Sequence, residues 1–344
     1  MPLSKTILPA LLQRRDLTSA EAAWAMTRIV NGELTAAQVA GFAAALRTKG
    51  ETADEIRGLV DALRASAVPV TIPGPVVDIA GTGGDGTGAV NISTMAAVVA
   101  AATGVTVVKH GGRAASSATC GAADLVEHLG VRLDLSPARA ARVAARAGLT
   151  FLFGPRYNPG LRHAAAVRRD LRVPTVFNIL GPLINPAAPQ YQVVGVADAR
   201  MAPLIADVLA ARGGQALVVR GDDGLDKLTT TTTSRVWTVR AGTVTASTLD
   251  PLEFGFDRAA PSDLRGGSAA GNALVFQAVL AGRRGPVRDV VLLNAAAMLV
   301  AVDGRSFPDA IGTCARAVDS GAARATLKRW IEVSAREGGR AVDC

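Results

Sequence analysis

The sequence predicts an α/β protein, with a small N-terminal helical domain ahead of a larger domain built on a mostly parallel sheet flanked by helices. Three observations predict it. Residues 17–65 carry a separate start signal for each of three short helices. From Pro75 onward, strand-like apolar runs alternate with helical segments, the pattern of a parallel sheet covered by helices. The first of those runs enters a glycine-rich loop, Gly81-Thr82-Gly83-Gly84-Asp85-Gly86.

The helical region comes first. Thr18 with Glu21, Thr35 with Gln38 and Thr52 with Glu55 each fit a capping box, in which side chain and backbone satisfy one another's orphan groups. Gly32 and Gly50 read as C-caps of the first two helices. Val39, Phe42, Ala43 and Leu46 share one face of the second helix, and Ile56, Leu59, Val60 and Leu63 one face of the third. Ser66 to Gly74, with Pro69 and Pro73, reads as a linker.

The sheet region follows. Pro75 to Ile79 reads as a buried strand, Met95 to Thr103 as an apolar helix and Val105 to Val108 as a second strand, which makes a βαβ unit around the glycine loop. Helices are predicted over Ala122–Leu129, 136–147, Leu161–Leu171, Ala202–Ala211 and, deeply buried, Val287–Val302. Strands are predicted over Leu149–Phe153, Tyr191–Ala197 and Ala216–Val219. Arg235 to Ala246 reads as a hairpin turning at Ala241-Gly242.

Glycines let backbone N–H groups approach an anion, and a helix start behind them adds partial positive charge. The loop therefore reads as a phosphate cradle. Gly81, Gly83 and Gly86 also fit a dinucleotide fingerprint, which requires an acid about 20 residues on. No acid occurs between Asp85 and Asp124, and the same interval carries Lys109 and Arg113. The interval suits a polyanion instead. The P-loop pattern is absent.

Bulk properties set outer limits. A chain of 344 residues suffices for two domains and a sizeable core. Only 4% of residues are aromatic, which argues against a base-stacking surface. The net charge of +8 suits anionic ligands, but no five-residue Lys/Arg run indicates a nucleic-acid arm. Cys120, Cys314 and Cys344 form no metal or disulfide pattern, and a reducing, cytoplasmic compartment is expected. The N-terminus lacks the order of a secretory signal, and no apolar run reaches the roughly 18 residues of a membrane span.

Six motifs then appear in order. They are the glycine loop, Asn91-Ile92-Ser93-Thr94, Lys109 to Ser117, Val167-Arg168-Arg169, Pro174 to Pro182, and Asp223-Gly224-Leu225-Asp226. Together they resemble the anthranilate phosphoribosyltransferase family of the tryptophan pathway, over nearly the whole chain. The resemblance implies a nucleoside-phosphorylase-like fold, a homodimer through the helical domain, phosphoribosyl pyrophosphate as donor, an aromatic acid as acceptor and Mg²⁺. Domain limits are expected at 1–72, joined by a returning helical segment near 162–190, and at 73–344 for the donor-binding domain. By resemblance, Gly81, Gly83, Gly84, Asp85, Asn91, Ser93, Thr94, Lys109 and Ser117 bind the donor. Ser93 and Asp226 face metal, and Gly112, Gly154, Asn158 and Arg168 face the acceptor. Ser93-Thr94 also reads as a helix N-cap pair. Arg168 offers a carboxylate two-point recognition, or else is one exposed arginine among Arg162, Arg168, Arg169 and Arg172.

Four positions depart from the family's pattern. Gly112 stands where asparagine is usual, Gly154 for alanine, Asn158 for histidine and Lys227 for the glutamate of a second Mg²⁺ site. Lysine cannot ligate Mg²⁺, which takes oxygen; its ammonium could stand in for part of the metal charge, or swing to solvent. The expected reaction is phosphoribosyl transfer to the amine of anthranilate. Transfer to another aromatic or heteroaromatic acid, a phosphorylase reaction, and nucleic-acid binding on the same scaffold remain alternatives.

Overall fold

The computed structural model describes residues 3–113 and 120–339. Among these, seven strands form one sheet: β1 (Val76–Gly81), β2 (Thr106–Gly111), β3 (Leu149–Phe153), β4 (Tyr191–Gly195), β5 (Gln215–Gly221), β6 (Ser234–Arg240) and β7 (Thr243–Leu249). Their order is β3-β2-β1-β4-β5-β6-β7. The strands from β3 to β5 are all parallel, and β6 and β7 extend that edge antiparallel. The expected mostly parallel sheet is therefore present. The β6–β7 hairpin turns at Ala241-Gly242, where φ of +51° and +75° match the twist of the strands.

All three capping boxes form as predicted, ahead of helices Ser19–Val30, Ala36–Lys49 and Ala53–Ser66. Leu3–Ile7 and Leu8–Leu12 add two helical turns not anticipated. Their signal was the spacing of Leu3, Ile7, Ala10 and Leu11, all buried. Helices Ala269–Leu280, Phe307–Asp319 and Ala322–Gly339 were also not anticipated; Phe307–Asp319 packs on the foreseen helix, here Pro286–Asp303, and the other two pack against Phe307–Asp319.

Along the central strands β4 and β5, alternate residues face opposite cores. Val193, Leu217 and Val219 point into one core with helices Ile92–Ala101 and Pro286–Asp303. Val194, Ala216 and Val218 point into another, with helix Met201–Ala211, the N-terminal helices and residues Ala164, Val167, Phe177 and Leu180. Among the described residues, no helix is long and apolar enough to cross a membrane.

The strand order sets the location of the site. The chain passes from β1 outward through β2 to β3, then returns to place β4 on the other side of β1. In open α/β sheets such a reversal opens a crevice at the carboxyl ends of the two central strands. The glycine loop leaves β1 at that point.

Candidate active site

The glycine loop is tied down at both ends. The N–H of Thr82 donates to the Gly195 carbonyl at 2.9 Å, at the end of β4. Further on, Gly266 N–H donates to Gly88 O at 2.8 Å and Val90 N–H to Leu264 O at 2.9 Å. Between these ties Gly83 has φ of +69°, a backbone region that favours glycine. Gly81 meets a different requirement. A Cβ there would lie 2.0 Å from Asp226 Oδ2, and one on Gly195 would lie 1.6 Å from the Asp226 carbonyl oxygen. The segment carrying Asp226 thus crosses the ends of β1 and β4 with no room for a side chain beneath it.

Helix Ile92–Ala101 starts three residues earlier than the predicted Met95. Ser93 and Thr94 therefore lie in its first turn, and the N-cap position belongs to Asn91, which makes no side-chain cap. Asn91 instead donates to Cys120 O at 2.9 Å and accepts from Asn272 at 2.8 Å. The hydroxyls of Ser93 and Thr94 line the cleft and make no hydrogen bond among the described residues. An uncapped helix start facing a cleft favours an anion.

Two lysines face the same space. Lys109, on β2, is buried, and its ammonium donates to Ile79 O at 2.8 Å. Burial brings it down to about 8, while Asp78 works the other way. It is therefore a fixed cation and not a solvated strand-end lysine. Lys227 is not swung to solvent either. Its ammonium contacts Asp226 Oδ1 and lies 4.0 Å from Asp85 Oδ2. The other Asp226 oxygen accepts the N–H of Gly83 at 2.7 Å. Burial pushes Asp226 up to about 6, so it is ionised at neutral pH. Against burial, Asp226 and Asp85 hold the Lys227 ammonium above its ordinary value.

Arg168 reaches the cleft from helix Arg162–Leu171. It is half-buried while Arg162, Arg169 and Arg172 are exposed, and its guanidinium has no hydrogen-bond or ion-pair partner among the described residues. Burial alone lowers its affinity for the proton. Gly112 also lines the cleft, with open space among the described residues where a Cβ would stand.

Gly154 and Asn158 do not line it. They sit behind His110, which does. A Cβ on Gly154 would lie 3.5 Å from His110 Nε2, and Asn158 Nδ2 is 3.2 Å from the same nitrogen. His110 Nδ1 faces Gly181 O at 3.2 Å, an acceptor, which puts the ring proton on Nδ1. Burial pushes His110 down to about 4, so the ring is neutral and positions rather than protonates. Both departures thus bear on His110, and Gly154 also on the carbonyl of Gly111, 3.4 Å from where its Cβ would stand.

In all, Gly81, Gly83, Gly84, Asp85, Asn91, Ser93, Thr94, Lys109, Gly112, Arg168, Asp226 and Lys227 meet around one cleft of about 610 Å³. Ser117 lies outside the described residues. Sequence reasoning assigned no site role to Asn178 or Cys120, which also line it. Asn178 lay inside the quoted Pro174–Pro182 motif, which was the available signal. Arg113 lines the cleft too, but is engaged by Asp124 at 2.8 Å and Glu127 at 2.7 Å.

Mg²⁺ keeps several waters and is commonly held by one or two protein oxygens plus substrate phosphates. The open Ser93 hydroxyl fits an ion held mainly in that way. The Asp226–Lys227 position does not fit a second ion, because both Asp226 oxygens are engaged and a cation already touches one of them. No cluster of three or more His, Cys, Asp or Glu among the described residues could hold a metal.

Residues 5–67 match the glycosyl transferase family helical bundle domain, and residues 73–324 the glycosyl transferase family a/b domain. A helical bundle joined to an α/β body with an anion-binding crevice is thus a glycosyltransferase architecture. The chain is 56% identical over 345 residues to the anthranilate phosphoribosyltransferase of Acidothermus cellulolyticus, covering 98% of this chain and 96% of that one. It is 54% identical over 334 residues to that of Streptomyces griseus, covering 95% and 94%. Its fold matches the crystal structure of the Thermus thermophilus enzyme with a TM-score of 0.90 at 38% identity, over 95% of this chain and 99% of that one. It matches the Saccharomyces cerevisiae enzyme in complex with PRPP and Mg with a TM-score of 0.88 at 26% identity, over 97% and 99%. The chain belongs to the anthranilate phosphoribosyltransferase family.

Proposed function

We propose that this chain transfers the 5-phosphoribosyl group of phosphoribosyl pyrophosphate to the amine of anthranilate and releases pyrophosphate. One observation carries the reading: the guanidinium of Arg168, unpaired among the described residues, faces an anion-binding floor across a single cleft. The names and contents of the related structures point the same way.

In this reading, the N–H groups of the glycine loop and the first turn at Ser93-Thr94 hold the donor's phosphates. The fixed ammonium of Lys109 offsets charge that develops on the departing pyrophosphate. Ser93 would help hold an Mg²⁺ carried by the donor's phosphates, and such an ion would further neutralise that charge when bound. Arg168 receives the acceptor carboxylate in a two-point contact and so aims the amine. The amine then forms the bond to C1 as the bond from C1 to pyrophosphate breaks, with inversion, and the nitrogen afterwards gives up a proton. An amine attacking an oxocarbenium-like centre needs little base assistance, in keeping with a neutral His110.

Incubation with phosphoribosyl pyrophosphate and anthranilate tests this, through the loss of anthranilate fluorescence. Intact donor binding without that loss would remove anthranilate as acceptor. A second reading, another aromatic acid as acceptor, is favoured by the open space at Gly112; a panel of aromatic acids read by pyrophosphate release separates the two. The division into residues 1–72 with 162–190 and residues 73–344, the homodimer through the N-terminal helices and the cytoplasmic location belong to the same proposal. Light scattering on the eluting peak of a sizing column tests the dimer.

A further inference from the structure

We propose that the ammonium of Lys227 permanently occupies the position that a second divalent cation would need at Asp226, so that the chain binds its donor with a single metal ion. The inference rests on the donor reading above and concerns the same crevice.

Three features support it. First, both oxygens of the carboxylate are engaged. Gly83 N–H donates to Asp226 Oδ2 at 2.7 Å and the Lys227 ammonium contacts Oδ1. A metal at Oδ1 would stand against that ammonium. Second, the segment cannot easily turn to offer another lone pair. It is wedged over Gly81 and Gly195, and the side chain of Asn294 clamps the next residue but one, accepting from Leu228 N–H at 3.1 Å and donating to Leu228 O at 2.8 Å. Third, the ammonium is placed between two carboxylates and not beside one. Asp85, itself oriented by Thr87 N–H at 3.0 Å, lies across from it at 4.0 Å.

A lysine ammonium is a compact point charge. Here it offsets one of the two carboxylate charges that would otherwise repel an incoming pyrophosphate, without an ion drawn from solution. It carries one positive charge where a divalent ion carries two. Donor binding should then depend on the concentration of free metal through one ion only.

The experiment counts ions. Mn²⁺ serves as a paramagnetic probe, and its bound fraction is read by electron paramagnetic resonance on the full-length protein saturated with phosphoribosyl pyrophosphate. The expected result is one Mn²⁺ per wild-type chain and two for Lys227→Glu, which restores an oxygen ligand. Without donor, thermal melting supplies a readout independent of turnover. Lys227→Glu gathers three carboxylates, so its melting temperature should rise on adding Mg²⁺ while that of the wild type stays put. Lys227→Met removes the charge without adding an oxygen ligand; it should keep one Mn²⁺ and bind the donor roughly tenfold more weakly, about 1.4 kcal/mol. Two Mn²⁺ per wild-type complex, or one for Lys227→Glu with melting insensitive to Mg²⁺, overturns the inference while donor binding stands. Absence of donor binding to the wild type overturns the functional reading, and the inference with it.

Discussion

The side-chain amide of Asn158 lies 3.2 Å from Nε2 of His110 and fixes that ring from behind the cleft. The imidazole is held as a neutral ring by this amide on one side and by Gly181 O on the other. Replacing the amide by a carboxylate should reverse its preference. In Asn158→Asp an anion would stabilise the imidazolium, and the His110 titration should move up from about 4, by an NMR titration of the ring. Asn158→Leu would leave Nε2 without its donor and cost about 1–3 kcal/mol in urea unfolding.

Acid stability should show two opposed contributions. Asp78 is buried, accepts from Asn185 at 2.8 Å and from His110 N–H at 3.3 Å, and is pushed up by burial from 3.8 to about 6. The folded state therefore binds its proton more tightly, and stability is lost as pH rises between those values. His110 is pushed down by burial from 6.5 to about 4. The folded state resists its protonation, and stability is lost as pH falls through that window. The two offset one another between pH 4 and 6. His110→Gln removes one of them. The difference in unfolding free energy between wild type and variant should shift by about 3 kcal/mol from roughly pH 7 to pH 4, the wild type losing more. Parallel urea titrations across that range would show no change in the difference if His110 were not the group responsible.

Arg168 should act on the acceptor alone. Arg168→Lys keeps the charge but loses the planar fork. The acceptor KM should rise roughly tenfold, about 1.4 kcal/mol, with donor affinity unchanged. A variant whose donor affinity falls equally would place Arg168 on the phosphates instead.

Glycines on the cleft should not be equivalent. Gly81→Ala would drive a methyl into Asp226, at 2.0 Å, and shift the crossing segment. A loss of about 1–3 kcal/mol and weaker donor binding are expected. Gly112→Ala meets open space and should stay within about ±0.5 kcal/mol of wild type. Paired melting curves and donor titrations compare the two.

Much of this arrangement can be read from residues alone, because it is local. Capping boxes act within one turn, and the hairpin at Ala241-Gly242 needs only its own φ angles. The donor side of the cleft sits on one βαβ unit, so its motifs lie close together in the chain. What the sequence does not reveal depends on distant partners. The amide of Asn272 that donates to Asn91 lies far along the chain and leaves no local signal. Asn158 reads as an acceptor-facing residue, yet folding places it behind His110. Gly81 reads as a loop glycine for an anion, while its packing demand comes from Asp226, far along the chain. The helix at Phe307 had a legible start in Ser306 and Asp309, whose N–H donates to the Ser306 hydroxyl at 3.2 Å.

The two cores on opposite faces of the sheet bear on how such a chain can change over time. Ser93 and Lys109 are anchored among residues of one core, whereas Arg168 and Asn178 stand on segments rooted in the other. Substitutions that reshape the second set need not disturb the packing that supports the first. Selection can therefore try new nucleophiles against an unchanged sugar-phosphate grip, and a lineage can diverge in what it modifies while conserving what it consumes.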